Sequence, residues 1–575
     1  MKRVFAYLKP YFRRMSVGLF IKFLGTIMDL MLPWLLAFII DEVVPDQDIS
    51  KVVLYGGVMF ACAIVAIIAN VVANRMAARV ARDTIRNIRH DLFKKSINLS
   101  CEQVDNITIP SLESRLTTDT YNLHQMIGMM QRMGVRAPIL LIGGILITFS
   151  MEPMLTLILM SVLPIAAILI YQISRRGIPL FARVQKSIDS MVSVIRENIS
   201  GIRIVKALSK TDYEKKRFSK VNDAVVSNEK RANYIMAITN PSMSLLLNFG
   251  LTCVILLGAY RVNAGVTQPG KIIAFLSYFT IILMAMQFIT RIFVIYSKAS
   301  ASADRIDEVL NYEEDLPVIE CEKIDTAYHI QFDDVSFSYR DSKETVHNIS
   351  FAIKRGETLG IIGSTGSGKS TLIHLLMRLY DIEEKEQGNR IWIGGRDIRS
   401  IPKEELHTMF GVVFQNDSLF ADTIEENIDF GRGLSNEQIE KAMHMAQAEE
   451  FISNLEDGLK HILTSRGTNL SGGQRQRILI ARALAGSPDI LILDDSSSAL
   501  DYKTDAALRK SIKEEYSDIT TVIVAQRISS IMNADHILVL EDGREAGYGT
   551  HNELLETCPI YEEIYNSQMG GDSIG

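Results

Sequence analysis

Cysteine is scarce and scattered. The five residues Cys62, Cys101, Cys253, Cys321 and Cys558 form no CxxC pair and no close spacing, so neither a disulfide framework nor a zinc site is written into the chain. Cys62 and Cys253 stand in apolar runs and read as packing residues. An excess of charge is missing too: 61 Lys and Arg against 67 Asp and Glu leave a net charge of −6, which offers no footprint for nucleic acid. A secretory leader is not expected, because the apolar stretch after the basic, aromatic segment Met1–Arg14 is too long for one. Residues 1–15 read instead as an amphipathic helix lying on the inner membrane face.

Apolar residues, by contrast, make up 47% of the chain while charged residues still reach 22%. These values rarely meet in one soluble core. They fit a chain that is part membrane and part soluble, and the two parts separate in sequence. A spanning helix needs about 20 mostly apolar residues, and six such runs lie near residues 16–40, 52–73, 128–150, 153–174, 239–261 and 272–297. The loop Asp41–Lys51 is short and acidic, the turn at Met151–Pro153 is bare, and Val262–Gly270 is short and uncharged. The other connections are long and rich in Arg and Lys, which by the positive-inside rule makes them cytoplasmic, with both termini on the same side. Helical spacing continues past the membrane from Asn74 to Ile97 and from Ile178 to Ile199, so helices two to five are expected to extend into the cytoplasm. Their turning points are expected near Ile109–Thr117 and Ser209–Lys216. Lys22 and Asp29 are charges inside the first span. Lys22 reads as a snorkelling side chain. Asp29 reads either as a cavity-facing contact or as an interhelical or intersubunit partner.

The expected fold class is an N-terminal all-α transmembrane domain of six long helices followed by a C-terminal α/β P-loop domain. The expected boundaries are 16–300 for the transmembrane domain, 301–327 for a linker, 328–568 for the α/β domain, whose motifs follow, and 569–575 for a tail.

The strongest motif is Gly363-Ser364-Thr365-Gly366-Ser367-Gly368-Lys369-Ser370, a full match to GxxxxGK[ST]. The run Thr358–Ile362 before it reads as a buried strand, and Thr371–Leu379 after it reads as a helix. Glycines let such a loop wrap phosphate, and successive N–H groups with the helix N-terminus supply positive field. Lys369 would neutralise the outer phosphates of ATP, and the Ser370 hydroxyl would ligate Mg²⁺. Ile490–Leu493 reads as a buried parallel strand ending in Asp494, well placed for the Mg²⁺ shell. Leu470-Ser471-Gly472-Gly473-Gln474 opens an apolar helix and forms a second anion-binding helix start; a plain helix cap at Ser471 would explain the serine but not the Gly-Gly-Gln.

A Leu-Ser-Gly-Gly-Gln run between two such elements is the signature of ATP-binding cassette proteins. With six spans in front, the chain resembles an exporter-type half-transporter over nearly its whole length. The resemblance implies further roles: Tyr339 stacking on adenine, Gln415 touching Mg²⁺ at the Q-loop, and Ser498-Ala499-Leu500-Asp501 as the D-loop. Glu197–Arg203 is similar to a stretch common in exporter extensions. It also implies two cassettes stacked head to tail, each ATP held by one P-loop and the other cassette's signature, with Thr371 of the first helical turn among the nucleotide contacts. The expected partners are a second half-transporter subunit, the lipid bilayer and an amphipathic small-molecule cargo, with no nucleic acid.

Two positions depart from the family pattern. Asp495 stands where the catalytic carboxylate is usually Glu, shortening its reach by about 1.5 Å; a catalytic group misplaced by about 1 Å can cost on the order of 100-fold. Gln526 stands where a His is usual; it can donate a hydrogen bond but cannot become cationic. Both belong to the chain's own P-loop site, while its signature is intact and would serve the partner. The combination resembles one subunit type of heterodimeric bacterial multidrug exporters and implies a heterodimer whose other chain carries Glu and His. A mainly regulatory ATP-binding subunit, and a homodimeric translocator of peptide or lipid, remain the alternatives. Ser465 also replaces a common Glu.

Overall fold

The computed structural model describes residues 1–313, 316–321, 323–339, 345–383, 388–496, 500–516 and 518–569. The chain forms two compact units, one of Met1–Ile97 with Thr108–Tyr312, the other of Asn98–Ile107 with the chain from Glu313 onward.

The first unit is helical. A short helix α1 (Lys2–Leu8) leads through one 3-10 turn into α2 (Phe12–Phe38), so the expected interfacial segment and the first span are nearly continuous. Next comes α3 (Ile49–Ile97). In the second unit stands α4 (Cys101–Ile107), followed back in the first by α5 (Ile109–Ser114), α6 (Thr120–Met151), α7 (Pro153–Ser200), α8 (Ile202–Ala207), α9 (Thr211–Ala237), α10 (Thr239–Asn263) and α11 (Pro269–Asn311). Six of the continuous helical stretches are long and apolar enough to cross a membrane. Residues 301–311, expected in the linker, are instead the last turns of α11, because Ala303, Ile306 and Val309 keep a buried stripe at helical spacing.

Small residues set the packing. A stripe of Ala66, Ala69, Ala73, Ala77 and Ala81 runs down the buried face of α3. At Gly25 of α2 a Cβ would lie 2.9 Å from the Ala69 Cβ, so glycine is what lets the two backbones approach. Aromatic bulk fills the centre: Phe275, Tyr278 and Phe279 of α11 are fully buried, and the Tyr278 hydroxyl donates to the Leu30 carbonyl. Lys22 does not snorkel. It is buried in the α2–α3 contact, its Nζ donating to Asn70 Oδ1 at 2.8 Å and Asn74 Oδ1 at 3.1 Å. Of the two readings of Asp29, the geometry provides the interhelical one: its Oδ2 accepts from Arg136 Nη2 at 3.0 Å and Asn70 Nδ2 at 3.2 Å.

The first of the expected reversals comes earlier than Ile109–Thr117. The chain leaves α3 at Ile97 and the segment 98–107 packs with the second unit, where Asp105 of α4 accepts from the Tyr380 hydroxyl. The second reversal falls at Leu208–Lys210, with Ser209 at φ +51.

The second unit is built on one ten-stranded sheet in the order β5-β4-β1-β2-β10-β9-β3-β8-β7-β6. The strands are β1 (Ile330–Phe337), β2 (Val346–Ile353), β3 (Thr358–Gly363), β4 (Arg390–Ile393), β5 (Arg396–Asp397), β6 (Phe410–Val413), β7 (Ile490–Asp494), β8 (Thr520–Val524), β9 (His536–Glu541) and β10 (Arg544–Gly549). β9, β3, β8, β7 and β6 pair in parallel, whereas β2, β1, β4 and β5 form an antiparallel flank. β7 and β8 are buried at every residue, as expected for parallel strands covered on both faces. The segment before β1 is pinned to this unit: Ile319 N donates to Arg399 O at 3.0 Å and Ile324 N to Gly395 O at 2.9 Å.

Candidate functional site

The parallel strands deliver their C-terminal ends to one edge, where a strand-to-helix turn leaves backbone N–H groups free to face a ligand. β3 runs straight into the loop 364–368 and then α12 (Lys369–Leu376). Its geometry demands glycine: Gly366 and Gly368 have φ +87 and +96, and a Cβ on Gly363 would lie 2.2 Å from the Leu540 carbonyl oxygen. The Lys369 side chain arches back over the loop, its Nζ donating to Gly363 O at 2.9 Å and Ser364 O at 2.7 Å. Burial pushes the Lys369 ammonium down from its usual value, while the nearby carboxylates of Asp494 and Asp495 pull it back up.

Asp494 ends β7 and is buried. The Ser370 hydroxyl donates to its Oδ2 at 3.3 Å. Burial raises the Asp494 carboxyl above the usual carboxylate range, and the Asp495 charge adds to that, against the hydroxyl of Ser370 and the charge of Lys369. Asp495 sits in the left-handed region at φ +49, and its N–H donates to Val524 O at 2.9 Å. That turn aims the Asp495 carboxylate across the pocket, where Oδ2 accepts from Gln526 Nε2 at 3.2 Å and lies 3.4 Å from Gln415 Nε2. Asp495, Gln526 and Gln415, picked out separately in the sequence, therefore meet at one carboxylate oxygen. They line one pocket with Thr365, Gly366, Gly368, Lys369, Ser370, Thr371 and Asp494.

Thr345, Val524 and Ala525 line the same pocket and were not singled out by sequence. Thr345 precedes β2, and its carbonyl oxygen stands 3.1 Å from where a Gly368 Cβ would be. No local pattern announces such a contact.

Tyr339 is half-buried beside this loop. Its hydroxyl lies 3.4 Å from Thr371 Oγ1 and 3.2 Å from His374 Nδ1, and its ring packs edge-on against Tyr380 at 5.0 Å between centroids. Burial raises the Tyr339 phenol and lowers the His374 imidazole.

Residues 470–474 lie elsewhere: among the described residues lining the pocket, none comes from this run. Ser471 caps the helix Gly472–Ala485 in a reciprocal box. Ser471 Oγ accepts from Gln474 N at 3.3 Å, and Gln474 Oε1 accepts from Ser471 N at 3.0 Å. The local cap thus accounts for Gln474 as well as for the serine, more than a plain cap at Ser471 would. It leaves the glycines unexplained. A Cβ on Gly472 would meet nothing within 4 Å, so the fold of this unit does not require glycine there. Asp501 caps the helix Tyr502–Glu515, accepting from Thr504 N at 2.9 Å and Thr504 Oγ1 at 2.8 Å. Ser498 and Ala499, the start of the expected D-loop, lie outside the described residues.

The donor set fits a hard divalent cation held beside a phosphate chain. The Ser370 hydroxyl and the Asp494 carboxylate meet at the foot of a glycine-lined cradle with Lys369, Gln415 lines the same pocket with an amide that also carries an oxygen, and hard oxygen donors are what Mg²⁺ takes.

Family models agree with this architecture. An ABC transporter transmembrane region matches residues 15–286, and an ABC transporter model matches residues 346–498. An uncharacterized ABC transporter ATP-binding protein of Bacillus subtilis, YfiB, is 36% identical over 572 residues, covering 99% of each chain. Another, Rv1273c of Mycobacterium tuberculosis, is 33% identical over 577 residues, covering 99% of this chain and 98% of the relative. The solved structure of a bacterial Atm1-family ABC exporter with ATP bound superposes with a TM-score of 0.82 over 97% of this chain and 98% of that one, at 23% identity, a likeness of fold. With its transmembrane region and its ATP-binding cassette in one polypeptide, the chain belongs to the ABC transporter family, whose ATPase drives transport.

Proposed function

We propose that the chain is one subunit of a two-cassette exporter that moves amphipathic compounds, drugs or lipids, by alternating access, and that its partner is a different chain. Short acidic or uncharged connections on one side and Arg- and Lys-rich ones on the other support a plasma-membrane orientation with the cassette and both termini in the cytoplasm.

ATP would lie in the cradle of residues 363–371 with its base against Tyr339. Ser370, Asp494 and Gln415 would hold Mg²⁺, which would offset the charge on the phosphates. Lys369, released from the Gly363 and Ser364 carbonyls, would turn to the outer phosphates. The partner's signature would close over this ATP, while Leu470, Ser471, Gly472, Gly473, Gln474 and Asp501 would face the partner's nucleotide. The open space at Gly472 supports that reading, since it leaves room for a foreign phosphate to approach the helix start. ATP bound between two cassettes favours the closed pair by its higher affinity for it, and that preference is what would reorient the helices.

The observation that carries the heterodimer is the environment of Asp495. The oxygen that would face the attacking water is shared by two glutamine amides, Gln415 and Gln526. Neither amide can take up a proton or become cationic. The shorter carboxylate is thereby held to one side, and this site would hydrolyse slowly while the partner's turns over. The test compares ATP hydrolysis by the purified chain alone with hydrolysis by its complex with a half-transporter that carries Glu and His at the positions of Asp495 and Gln526. At least tenfold faster turnover in the complex is expected; equal rates would sink the heterodimer. The same cluster also supports a mainly regulatory subunit. Vesicle transport that persists with a non-hydrolysable ATP analogue at this site, while the partner's site still works, would favour that second reading.

A further inference from the structure

Three cations and one carboxylate are gathered where α2, α3 and α6 meet. Arg136 and Arg132 lie about 22 and about 28 Å along α6 from its Met151 end, at about 1.5 Å rise per residue, inside a hydrocarbon slab about 30 Å thick. Lys22 of α2 is within electrostatic reach of both, and of Asp29. Asp29 is already committed, accepting from Arg136 Nη2 and Asn70 Nδ2. The two acceptors of Lys22 are neutral amide oxygens, Asn70 Oδ1 and Asn74 Oδ1, which solvate an ammonium without neutralising it. Arg136 Nε is buried without an acceptor. Arg132 is half-buried; its Nε donates to the Gly128 carbonyl at 3.0 Å, and no carboxylate pairs with it among the described residues.

Arg136 thus lies about 8 Å inside the near face of that slab and Arg132 about 2 Å inside it, so the cluster stands at the level where a headgroup meets its tail; a charge held there against the bundle without a counter-charge is costly to keep. The cluster therefore calls for a negative group that none of the described residues provides. The same turns of α6 carry Met129, Met130 and Met133, with Met130 exposed, and thioethers of this kind adapt to varied apolar shapes.

We propose that this cluster is the headgroup subsite for the cargo, and that the cargo is an amphiphile with an anionic head, a carboxylate or phosphate, and an apolar tail. This rests on the amphiphile-export reading and adds the sign of the charge. Arg132 supplies the free guanidinium, and Arg136, held by Asp29, supplies the oriented one. Asp29 acts as a positioning residue that fixes Arg136 and lets the net charge of the cluster stay positive.

The test uses the full chain in the complex it forms, in phosphatidylcholine vesicles, with three probes that share one tail: oleate, oleyl alcohol and oleylamine. The readout is the probe concentration giving half-maximal stimulation of ATP hydrolysis. Oleate is expected to act at a concentration about tenfold below oleylamine, with the alcohol between. Arg132→Gln should raise the oleate value about tenfold and leave the alcohol's unchanged, whereas Arg132→Lys, which keeps the charge, should restore most of the preference. That split is not expected of a residue that merely supports the fold. Equal potency of the three probes, a preference for oleylamine, or an Arg132→Gln shift common to all three would overturn the proposal. Full stimulation by added phosphatidylglycerol without oleate, abolished by Arg132→Gln, would place the bound anion in the bilayer and overturn the cargo assignment. Silence of all three probes would defeat the amphiphile-export reading itself, an outcome distinct from a wrong order among them.

Discussion

Two helices of the cassette begin on glycine and serine, and both present backbone N–H groups to whatever lies in front. At α12 the loop is closed on itself: glycines in the left-handed region, a buried Asp494 and the Lys369 side chain occupy the space around the helix start. At Gly472–Ala485 the start is capped by its own Ser471 and Gln474, and beyond Gly472 there is open space. One start is furnished by its own chain with everything a phosphate needs except a lid. The other has glycine without a local reason for it. A helix start becomes a nucleotide site through what surrounds it, and in the proposed two-cassette arrangement half of these surroundings come from the second cassette.

The comparison breaks most decisively at Lys369. Lys369→Ala should weaken binding of a fluorescent ATP analogue to the isolated chain by about 100-fold, the scale of losing one preorganised donor to a phosphate charge. Ser471→Arg should leave that binding unchanged while depressing hydrolysis by the complex to a similar degree. If Ser471→Arg weakened binding in the isolated chain as much as Lys369→Ala, the two starts would serve one site and the asymmetry would be gone.

A second experiment sharpens the contrast from the other side. Restoring the longer carboxylate and an ionisable neighbour with Asp495→Glu and Gln526→His should speed single-turnover hydrolysis at this chain's own P-loop by about 10- to 100-fold. No change would mean that Gln415, rather than reach or charge, limits the site.

Smaller is the effect of Ser471→Ala on stability. It removes the acceptor of Gln474 N and should destabilise the folded chain by about 1 kcal/mol, read as a lower denaturant midpoint, whether or not the partner is present.

The smallest effect is one of pH. Burial lowers the imidazoles of both His329 and His374, with the positive charge of Arg355 adding to the effect at His329. A base whose folded-state value is depressed binds protons more readily once unfolded. Its contribution is therefore intact above the ordinary histidine value of about 6.5 and is lost as pH falls below it toward the depressed value. The buried Asp494 acts in the opposite sense, since its raised value favours the folded state on the acid side and is lost as pH rises through it. Thermal melts between pH 7 and pH 5, with pH values spanning about 6.5, should show stability declining on acidification. His329→Gln should flatten that decline while leaving nucleotide binding alone.

Much of this architecture is legible in the sequence because its signals are local. An apolar run of spanning length, a GxxxxGKS loop between strand and helix, and a carboxylate ending a buried strand each carry their own geometry. Two further features are just as local. The Ser-x-x-Gln spacing of Ser471 and Gln474 is that of a capping box, and spacing alone is enough to suggest it. Arg132 and Arg136 stand inside the span expected at 128–150 as plainly as Lys22 and Asp29 stand in the first. What no local pattern could supply is pairing across distance. Thr345 reaches the loop around Gly368 from another strand, Asp105 reaches Tyr380 from a helix far upstream, and Asp29 chooses Arg136 over solvent. Those choices are made by the fold as a whole.

The second helix, α3, runs 49 residues without a proline, whereas α2, α6 and α7 are each interrupted by proline, at Pro33, at Pro138, and at Pro164 and Pro179. At about 1.5 Å per residue it is a rod of about 73 Å. Prolines are a common place for helices to bend, so its neighbours can flex in the middle, whereas the one glycine pair of α3, Gly56-Gly57, stands near its N-terminal end. A tilt imposed at its far tip would therefore be carried along the rod toward the bilayer end rather than absorbed at a proline midway. The bent helices can then accommodate while this one acts as the lever arm.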